Sequence, residues 1–339
     1  MPVMRPNKLL LPLVPLYQAG LWLRARRLGT RSEPIQRLRF PVVSIGNLST
    51  GGAGKTPFTI ALANALTRRG LEVDVLSRGY GRKGLGATRV TAHGAAEEFG
   101  DEPVLIAQQT GVPVYVARQR YEAGTLSEGD ANVLFSALGE AVKPIIHLLD
   151  DGFQHRQLHR NVDILLVNRQ DWEDRLLPAG NLREPIKAAL RATILVIPAE
   201  DGDLAEKLEN WGWKGPIWGI RRAMDRPAVN GPVAAFCGIA RPDQFFSGLE
   251  DLGLQIAART AFADHHLYTS RDVERLVSAA SAVAATVLLT TEKDLVRLRG
   301  LASAIPVSLP LKAVHLSVGI DAENQAIEQL MGFLKLGRT

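Results

Sequence analysis

Short apolar, β-branched runs alternate with stretches of helical periodicity along the first two-thirds of the chain. Val42–Ile45, Glu72–Leu76, Val112–Val116, Pro144–Leu149, Val162–Val167 and Thr193–Ile197 predict strands. Lys55–Arg69, Pro103–Gln109 and Ile186–Leu190 predict helices between them. Near-continuous apolar strands separated by helices imply a mostly parallel sheet covered on both faces. That is a doubly wound α/β domain, with ligands at the carboxyl ends of its strands. The pattern breaks at Trp211–Pro232, where Trp211, Trp213 and Trp218 cluster among glycines and prolines and Arg221-Arg222 follows. This stretch reads as a linker or hairpin. A second α/β unit begins with Val233–Cys237 and continues through a helix near Asp243–Leu252, a strand near Gln255–Arg259, a helix near Ser270–Ala282 and the strand Val287–Thr290. The tail offers one strand, Ala313–Ser317, and one helix, Gln325–Leu336. The expected organisation is therefore an N-terminal segment 1–30, a domain 31–222 and a smaller α/β domain 223–339, with the tail 313–339 able to pack back on the linker.

The glycine-rich stretch Phe40–Thr56, FPVVSIGNLSTGGAGKT, gives the larger unit a chemistry. A strand runs into a loop that ends in Gly54-Lys55-Thr56, and a helix follows. Backbone N–H groups and a helix N-terminus in that layout cradle nucleotide phosphates, as in a P-loop NTPase. Gly51, Gly52, Ala53, Gly54, Lys55 and Thr56 form the expected cradle, with Lys55 on the β/γ-phosphates and the Thr56 hydroxyl on Mg²⁺. The usual first glycine is replaced by Ser49, and the paired Gly51-Gly52 precede Ala53 instead. The plain alternative is a glycine-rich turn that binds nothing.

Composition narrows the partners. The 339 residues, 46% hydrophobic and 22% charged, are ordinary for a protein that buries a core. The single cysteine, Cys237, excludes a disulfide framework and a CxxC site. A net charge of +5 favours an anionic partner: a nucleotide, a phosphorylated substrate or a phospholipid surface. No dense basic tract interleaved with aromatics marks a nucleic-acid face, so no nucleic-acid partner is expected. Leu9–Leu23, LLLPLVPLYQAGLWL, is too short for a comfortable span, carries Pro12 and Pro15, and ends in Arg24, Arg26 and Arg27 rather than a cleavage site. It reads either as a helix lying in a membrane interface or as one packed on the protein's own body.

Further motifs sit at predicted strand ends. Pro144–Asp151, PIIHLLDD, ends a hydrophobic strand in two aspartates. In a nucleotide-binding α/β domain such a carboxylate faces the Mg²⁺ of the loop threonine. Asp150 is the natural metal ligand, and Asp151 either a second ligand or a partner of the metal's waters; an ordinary Asp-Gly turn is the alternative. Gln154 and His155 follow in the same loop. Arg78, in SRGYGR, suits a phosphate or an anionic headgroup. Gly100–Pro103, GDEP, and Asn181–Pro185, NLREP, each open a helix with an acidic neighbour. Either motif is explained by capping alone, although Arg183 also suits phosphate. In Asp264-His265-His266 adjacent histidines cannot both face one way, and zinc lacks a third ligand. Thr290–Asp294, TTEKD, reads equally as a base-reading loop and as a helix start capped by Thr291.

Taken in order, SIGNLSTGGAGKTP, LSRGYGR, GDEP, DDGFQH, PAGNLREP, ADHHLY and TTEKD resemble the tetraacyldisaccharide 4′-kinase family of lipid A biosynthesis. The resemblance covers Phe40–Asp294, and the apolar N-terminus fits it. It implies transfer of the ATP γ-phosphate to the 4′-hydroxyl of an acylated disaccharide 1-phosphate lipid. Asp101 is then the expected base, assisted by His265, with His266 the runner-up. Lys55 and Arg183 supply positive charge, and Thr56, Asp150, Asp151 and Glu184 form the Mg²⁺ side. Arg78, Gln154, His155 and Asn181 are the substrate-side candidates. It further implies a peripheral protein on the cytoplasmic face of the inner membrane of a Gram-negative bacterium, with an anionic membrane surface and no obligate protein partner. A P-loop ATPase or GTPase switch is the competing class. It is disfavoured by Thr50, where such switches carry an additional lysine, and by the lack of a metal-delivery cluster.

Overall fold

The computed structural model describes residues 7–28, 30, 34–52, 54–141 and 143–335. Thirteen strands are present among them: β1 (Val42–Asn47), β2 (Glu72–Ser77), β3 (Thr88–Arg89), β4 (Val114–Val116), β5 (Ile145–Asp150), β6 (Val162–Leu166), β7 (Ile194–Pro198), β8 (Ile217–Met224), β9 (Val233–Cys237), β10 (Ile256–Ala261), β11 (Val287–Thr291), β12 (Leu311–Val314) and β13 (Leu316–Ile320). The α-helices are α1 (Val14–Arg27), α2 (Lys55–Thr67), α3 (Ala96–Phe99), α4 (Asp101–Thr110), α5 (Arg120–Leu138), α6 (Arg169–Glu173), α7 (Asp203–Asn210), α8 (Pro242–Asp251), α9 (Ser270–Ala282), α10 (Glu292–Leu298) and α11 (Glu323–Leu334).

The strands form two sheets. The larger runs β13-β8-β7-β6-β1-β5-β2-β4-β3, antiparallel only at its two edge pairs. The smaller runs β10-β9-β11-β12 and is wholly parallel. This is the doubly wound α/β architecture with a second, smaller α/β unit. β1 and β5 are buried along their whole length, as strands covered on both faces must be. Ile45, Phe58, Leu62 and Leu148, all fully buried, centre the main core under α2.

Two expectations need correction. Trp211–Pro232 is not a linker: β8 lies within it and pairs in parallel with β7, and Trp213 and Trp218 are buried. The three tryptophans and neighbouring glycines hid a strand whose exposed positions are Arg221 and Ala223. The tail holds two strands rather than one. β12 closes the small sheet, the chain turns at His315, and β13 joins the large sheet against β8. The packing of the tail on Ile217–Met224 is thus sheet pairing, extended by Trp218 Nε1, which donates to Gln329 Oε1 of α11 at 3.0 Å. Helix α5 has no counterpart in the sequence reading. Its small residues give little apolar periodicity, and Gly124 is where the helix admits Leu38, whose Cδ1 would lie 2.2 Å from a Cβ there.

A buried ionic tie fastens this side of the sheet. His147 of β5 is completely buried, with Nδ1 2.8 Å from Asp74 Oδ1 on β2 and Nε2 3.4 Å from Glu128 Oε1 on α5. Glu128 Oε1 also accepts the backbone N–H groups of Arg39 (2.7 Å) and Phe40 (3.0 Å), just before β1. Burial alone would push the imidazolium down, but Asp74 and Glu128 raise it to about 9. Its folded pKa exceeds the ordinary 6.5, so its stabilisation is complete below pH 6.5 and fades as pH rises through 9. Between pH 6 and 10 the wild type should therefore lose more melting temperature than the double variant Asp74→Asn/His147→Gln. Asp74→Asn alone should cost about 3–5 kcal/mol in urea unfolding, because it strands a buried charge.

Candidate active site

The loop after β1 adopts a backbone that only glycine takes readily. Gly51, Gly52 and Gly54 have φ of 71°, 68° and 80°. Ala53 lies outside the described residues. Lys55 opens α2, and Thr56 is buried in its first turn. The NLREP segment runs alongside this loop. Thr50 N donates to Asn181 O at 2.9 Å and Arg183 N to Leu48 O at 2.7 Å. Asn181 is buried, and its backbone N and Nδ2 donate to Asp174 Oδ2 at 3.2 and 2.9 Å. Asn181 therefore braces the loop.

Lys55, Arg183 and Asp151 meet at Asn47, the last residue of β1. Lys55 Nζ donates to Asn47 Oδ1 at 2.8 Å and lies 3.4 Å from Asp151 Oδ1. Arg183 grips both oxygens of Asp151, at 3.0 and 2.9 Å, and its Nη2 donates to Asn47 Oδ1 at 2.6 Å. This two-pronged geometry is the strong form of an arginine–carboxylate pair. Burial alone would raise the Asp151 pKa, but Lys55 and Arg183 hold it far below the carboxylate range. Asp151 itself sits at φ 48°, a left-handed turn that carries it out of the strand direction.

Asp150, its neighbour, lives in the opposite field. It is buried and, among the described residues, receives hydroxyls, Ser77 Oγ at 3.2 Å and Thr59 Oγ1 at 3.5 Å. Burial, then the charges of Glu102 and Asp151, push it up to about 7. A carboxylate short of positive charge beside a buried threonine and a phosphate loop fits a divalent cation. Glu184 Oε2 accepts from Arg191 Nη1 at 2.7 Å, and among the described residues no three acidic or histidine side chains gather as a metal cluster. NLREP contributes Arg183 to this knot, and its Glu184 pairs with Arg191 through one oxygen while the other, Oε1, is buried with no protein partner among the described residues.

Gln154 Nε2 donates to the Asn47 carbonyl at 2.9 Å, while its buried Oε1 has no protein partner among the described residues. Burial and the charges of Arg120 and Arg160 push His155 down to about 3, so its ring is neutral. Arg78 is exposed just beyond β2, and the buried Arg120 opens α5 close enough to act on Asp151. Arg120 was not singled out from sequence, because α5 itself was not visible there.

The second cluster joins the two sheets. Asp101, buried in the first turn of α4, receives Arg297 Nε at 2.7 Å and a second, shorter contact from Arg297 Nη2. His265 Nδ1 lies 3.1 Å from the same Asp101 oxygen, and the Tyr80 ring packs against the imidazole at 5.2 Å between centroids. Burial alone would raise Asp101, but His265 and Arg297 keep it well below the usual range. His266 points elsewhere: its Nε2 is 3.1 Å from Asp272, and its ring stacks on Phe262 at 4.6 Å. His265, with φ 57°, is therefore the member of the pair that meets Asp101. At TTEKD the capping reading is the observed one, since Asp294 N donates to Thr291 Oγ1 at 3.2 Å. The same short helix α10 sends Lys293 to Glu102 and Arg297 to Asp101. Arg297 went unnoticed in the sequence, although its i+4 spacing from Lys293 was the available signal.

A phosphate-cradling loop on a parallel sheet, a lysine in the first turn behind it and a buried acidic strand end beside it define a P-loop phosphotransferase. More narrowly, the chain belongs to the tetraacyldisaccharide-1-P 4′-kinase family, whose sequence model matches residues 6–335. It is 38% identical over 335 residues to the tetraacyldisaccharide 4′-kinase of Koribacter versatilis, covering 96% of this chain and 98% of that one. The Nitrobacter winogradskyi protein of the same name is 37% identical over 344 residues, covering 98% and 95%. The fold matches the crystal structure of LpxK from Aquifex aeolicus in complex with ATP, with a TM-score of 0.71, 32% identity and coverage of 96% and 98%.

Arg297 is the residue whose loss should be felt most at the seam. Its side chain is 3% exposed and also serves Asp294 at 2.9 Å. Arg297→Leu should cost about 3–5 kcal/mol in urea unfolding, since Asp101 is then buried without its main counterion. Asp101→Leu/Arg297→Leu should recover part of that loss, and strict additivity would deny the coupling.

Proposed function

We propose that this chain is an ATP-dependent lipid kinase. It transfers the γ-phosphate to the 4′-hydroxyl of tetraacyldisaccharide 1-phosphate and yields the bis-phosphorylated lipid A precursor. The observation that carries the acceptor side is the contact of Asp101, on the larger sheet, with His265 of the smaller one at 3.1 Å. A hydroxyl presented to this pair loses its proton there as its oxygen bonds to the γ-phosphorus. The bond from that phosphorus to the β–γ bridging oxygen breaks, and ADP leaves with the electron pair. Phosphoryl transfer asks mainly for alignment and charge neutralisation. Lys55 faces the phosphates, and Arg183, anchored on Asp151, adds charge beside it. Thr56 and Asp150 would hold Mg²⁺, with Asp151 at its edge, and the ion would neutralise charge on the phosphate oxygens.

The His265 pKa follows from its neighbours. Burial alone would lower it, and Asp101 raises it above 6.5. The rate should climb with pH through that raised value, because the pair must be free to accept a proton. Asp101→Ala and His265→Ala should each lower kcat by about 10²–10⁴-fold while leaving ATP affinity in place. The assay is transfer of label from [γ-³²P]ATP to the lipid. Near-wild-type turnover in both variants would sink the assignment. Released inorganic phosphate with unlabelled lipid would point instead to a nucleotide switch.

The N-terminal segment supports docking on an anionic membrane at the cytoplasmic face of a bacterial inner membrane. Leu9, Leu16 and Trp22 are 87%, 70% and 55% exposed, and Arg24, Arg26 and Arg27 end α1. No helix among the described residues is long and apolar enough to cross a membrane. Val14 and Tyr17 face the body instead, and the Tyr17 hydroxyl donates to the Arg183 carbonyl at 2.9 Å. An apolar face with a basic end is the pattern of an interfacial helix. Leu16→Glu/Trp22→Glu should reduce co-sedimentation with anionic vesicles and raise KM for the lipid but not for ATP. Unchanged co-sedimentation would refute this docking face.

A further inference from the structure

One buried charge has no place in the scheme above. Asp294, in the first turn of α10, is fully buried. Its Oδ2 accepts from the Thr291 hydroxyl at 2.6 Å, which belongs to the cap of that helix. The cap explains nothing further. Oδ1 accepts from the Tyr268 hydroxyl at 2.8 Å, from Arg297 Nη1 at 2.9 Å and from Gly238 N at 3.0 Å. Taking a carboxylate out of water is costly unless it is paired and hydrogen-bonded. These partners offset that cost, and in doing so they are themselves fixed in place.

Two of the partners lead to the Asp101–His265 pair. Arg297 turns one edge of its guanidinium inward, with Nη1 on Asp294 and, at 2.7 Å, on the Gly238 carbonyl. That leaves the edge of Nε and Nη2 for Asp101. A planar fork clamped on one side has one orientation to offer on the other. The Gly238 carbonyl also accepts the backbone N–H of His265 at 3.1 Å, and so holds the left-handed turn that aims the imidazole. Gly238 is packed tightly into this knot: a Cβ there would stand 3.1 Å from Asp294 Oδ1 and 3.3 Å from Arg297 Nη1. We propose that Asp294 is the positioning residue of the Asp101–His265 pair, setting Arg297 and the Gly238 turn so that carboxylate and imidazole meet. Its charge has a second effect. Arg297 and Lys293 of α10 face Asp101, and both weaken it as a proton acceptor. Asp264 and Glu102 strengthen His265 as one, and the Tyr80 ring packs against the imidazole. Asp294 offsets part of the Arg297 charge, so the pair keeps its affinity for a proton. This assignment rests on the Asp101–His265 reading of the proposed function.

Asp294→Asn keeps the shape of the side chain and removes its charge. Per folded molecule, kcat for transfer of label from ATP to lipid should fall about 10- to 100-fold, with KM for ATP unchanged. NMR titration of the ligand-free full chain reads the pair directly, the His265 ring being assigned by its loss in His265→Gln. In Asp294→Asn that ring should titrate about one pH unit lower, because the Arg297 charge is then less offset. Gly238→Ala wedges Asp294 away from Arg297 without removing a charge. It should lower kcat about 10-fold and leave the His265 midpoint in place, and it decides the matter if Asp294→Asn does not fold. A merely structural Asp294 would lower the melting temperature alone. Wild-type kcat in either variant, or an unmoved His265 midpoint in Asp294→Asn, would overturn the proposal. Failure of the wild type to label lipid would sink the kinase reading, and the His265 midpoint would still decide the role of Asp294.

Discussion

Asp101 is a buried carboxylate whose counterions come from the other sheet. Arg297 and His265 both belong to the smaller unit, and both reach the same carboxylate oxygen. One residue along α4, Glu102 takes Lys293 from the same face of α10. Two consecutive acids meeting two bases one helical turn apart leave a single register for the seam. Sliding α10 along α4 would bury unpaired charge at a cost of several kcal/mol per ion. Charge pairing, with Val296 of α10 buried in the main core beside it, therefore sets how the two sheets face each other. It also places the carboxylate proposed as base under the control of the unit that does not carry the phosphate loop.

The two aspartates at the end of β5 show how one strand end yields two different groups. Their sequence positions are adjacent, but β geometry and the left-handed turn at Asp151 send them apart. Asp151 is saturated by Arg183 and Lys55 and holds those cations in place beside the loop. Asp150, among the described residues, is given hydroxyls and lies near further negative charge, so it remains receptive to a cation. Asn47 joins the halves, since its side-chain oxygen accepts from both Lys55 and Arg183. Without that shared acceptor, two cations would crowd one carboxylate.

What the sequence disclosed follows from how local each signal is. The β1 loop, α2 and Asp150 were legible because strand, glycines and helix are contiguous and have fixed chemistry. The meeting of Asp101 with His265 across 164 residues came only through the family resemblance, because no local pattern encodes it. Arg297, Asn47 and Arg120 were missed for the same reason: each acts on a partner distant in sequence. β8 was hidden because its inward residues are interleaved with arginines and glycine. α5 was hidden because small residues packed against Leu38 leave no apolar stripe. Asn181 and Glu184 were read by residue type, and the sequence did not show their neighbours Asp174 and Arg191.

The return of the tail explains why the seam can act as a fixed reference. The chain leaves the large sheet through β8 and comes back through β13, and the two pair antiparallel from Leu316–Met224 to Ile320–Ile220. The backbone N–H of Asp225 still donates to the His315 carbonyl at 3.0 Å, just beyond that ladder. The smaller unit is thus tethered by two neighbouring, hydrogen-bonded strands rather than by one flexible link. Such a tether resists twisting and leaves bending across the pair as the soft direction. Glu292, at the start of α10, sits beside this pivot, accepting from Gln109 at 2.5 Å and lying 2.9 Å from His315. The pairs of Asp101 and Glu102 lie along the same contact of α10 with α4. Arg241, beside Gly52, comes from the same unit, which thereby touches both the phosphate loop and Asp101.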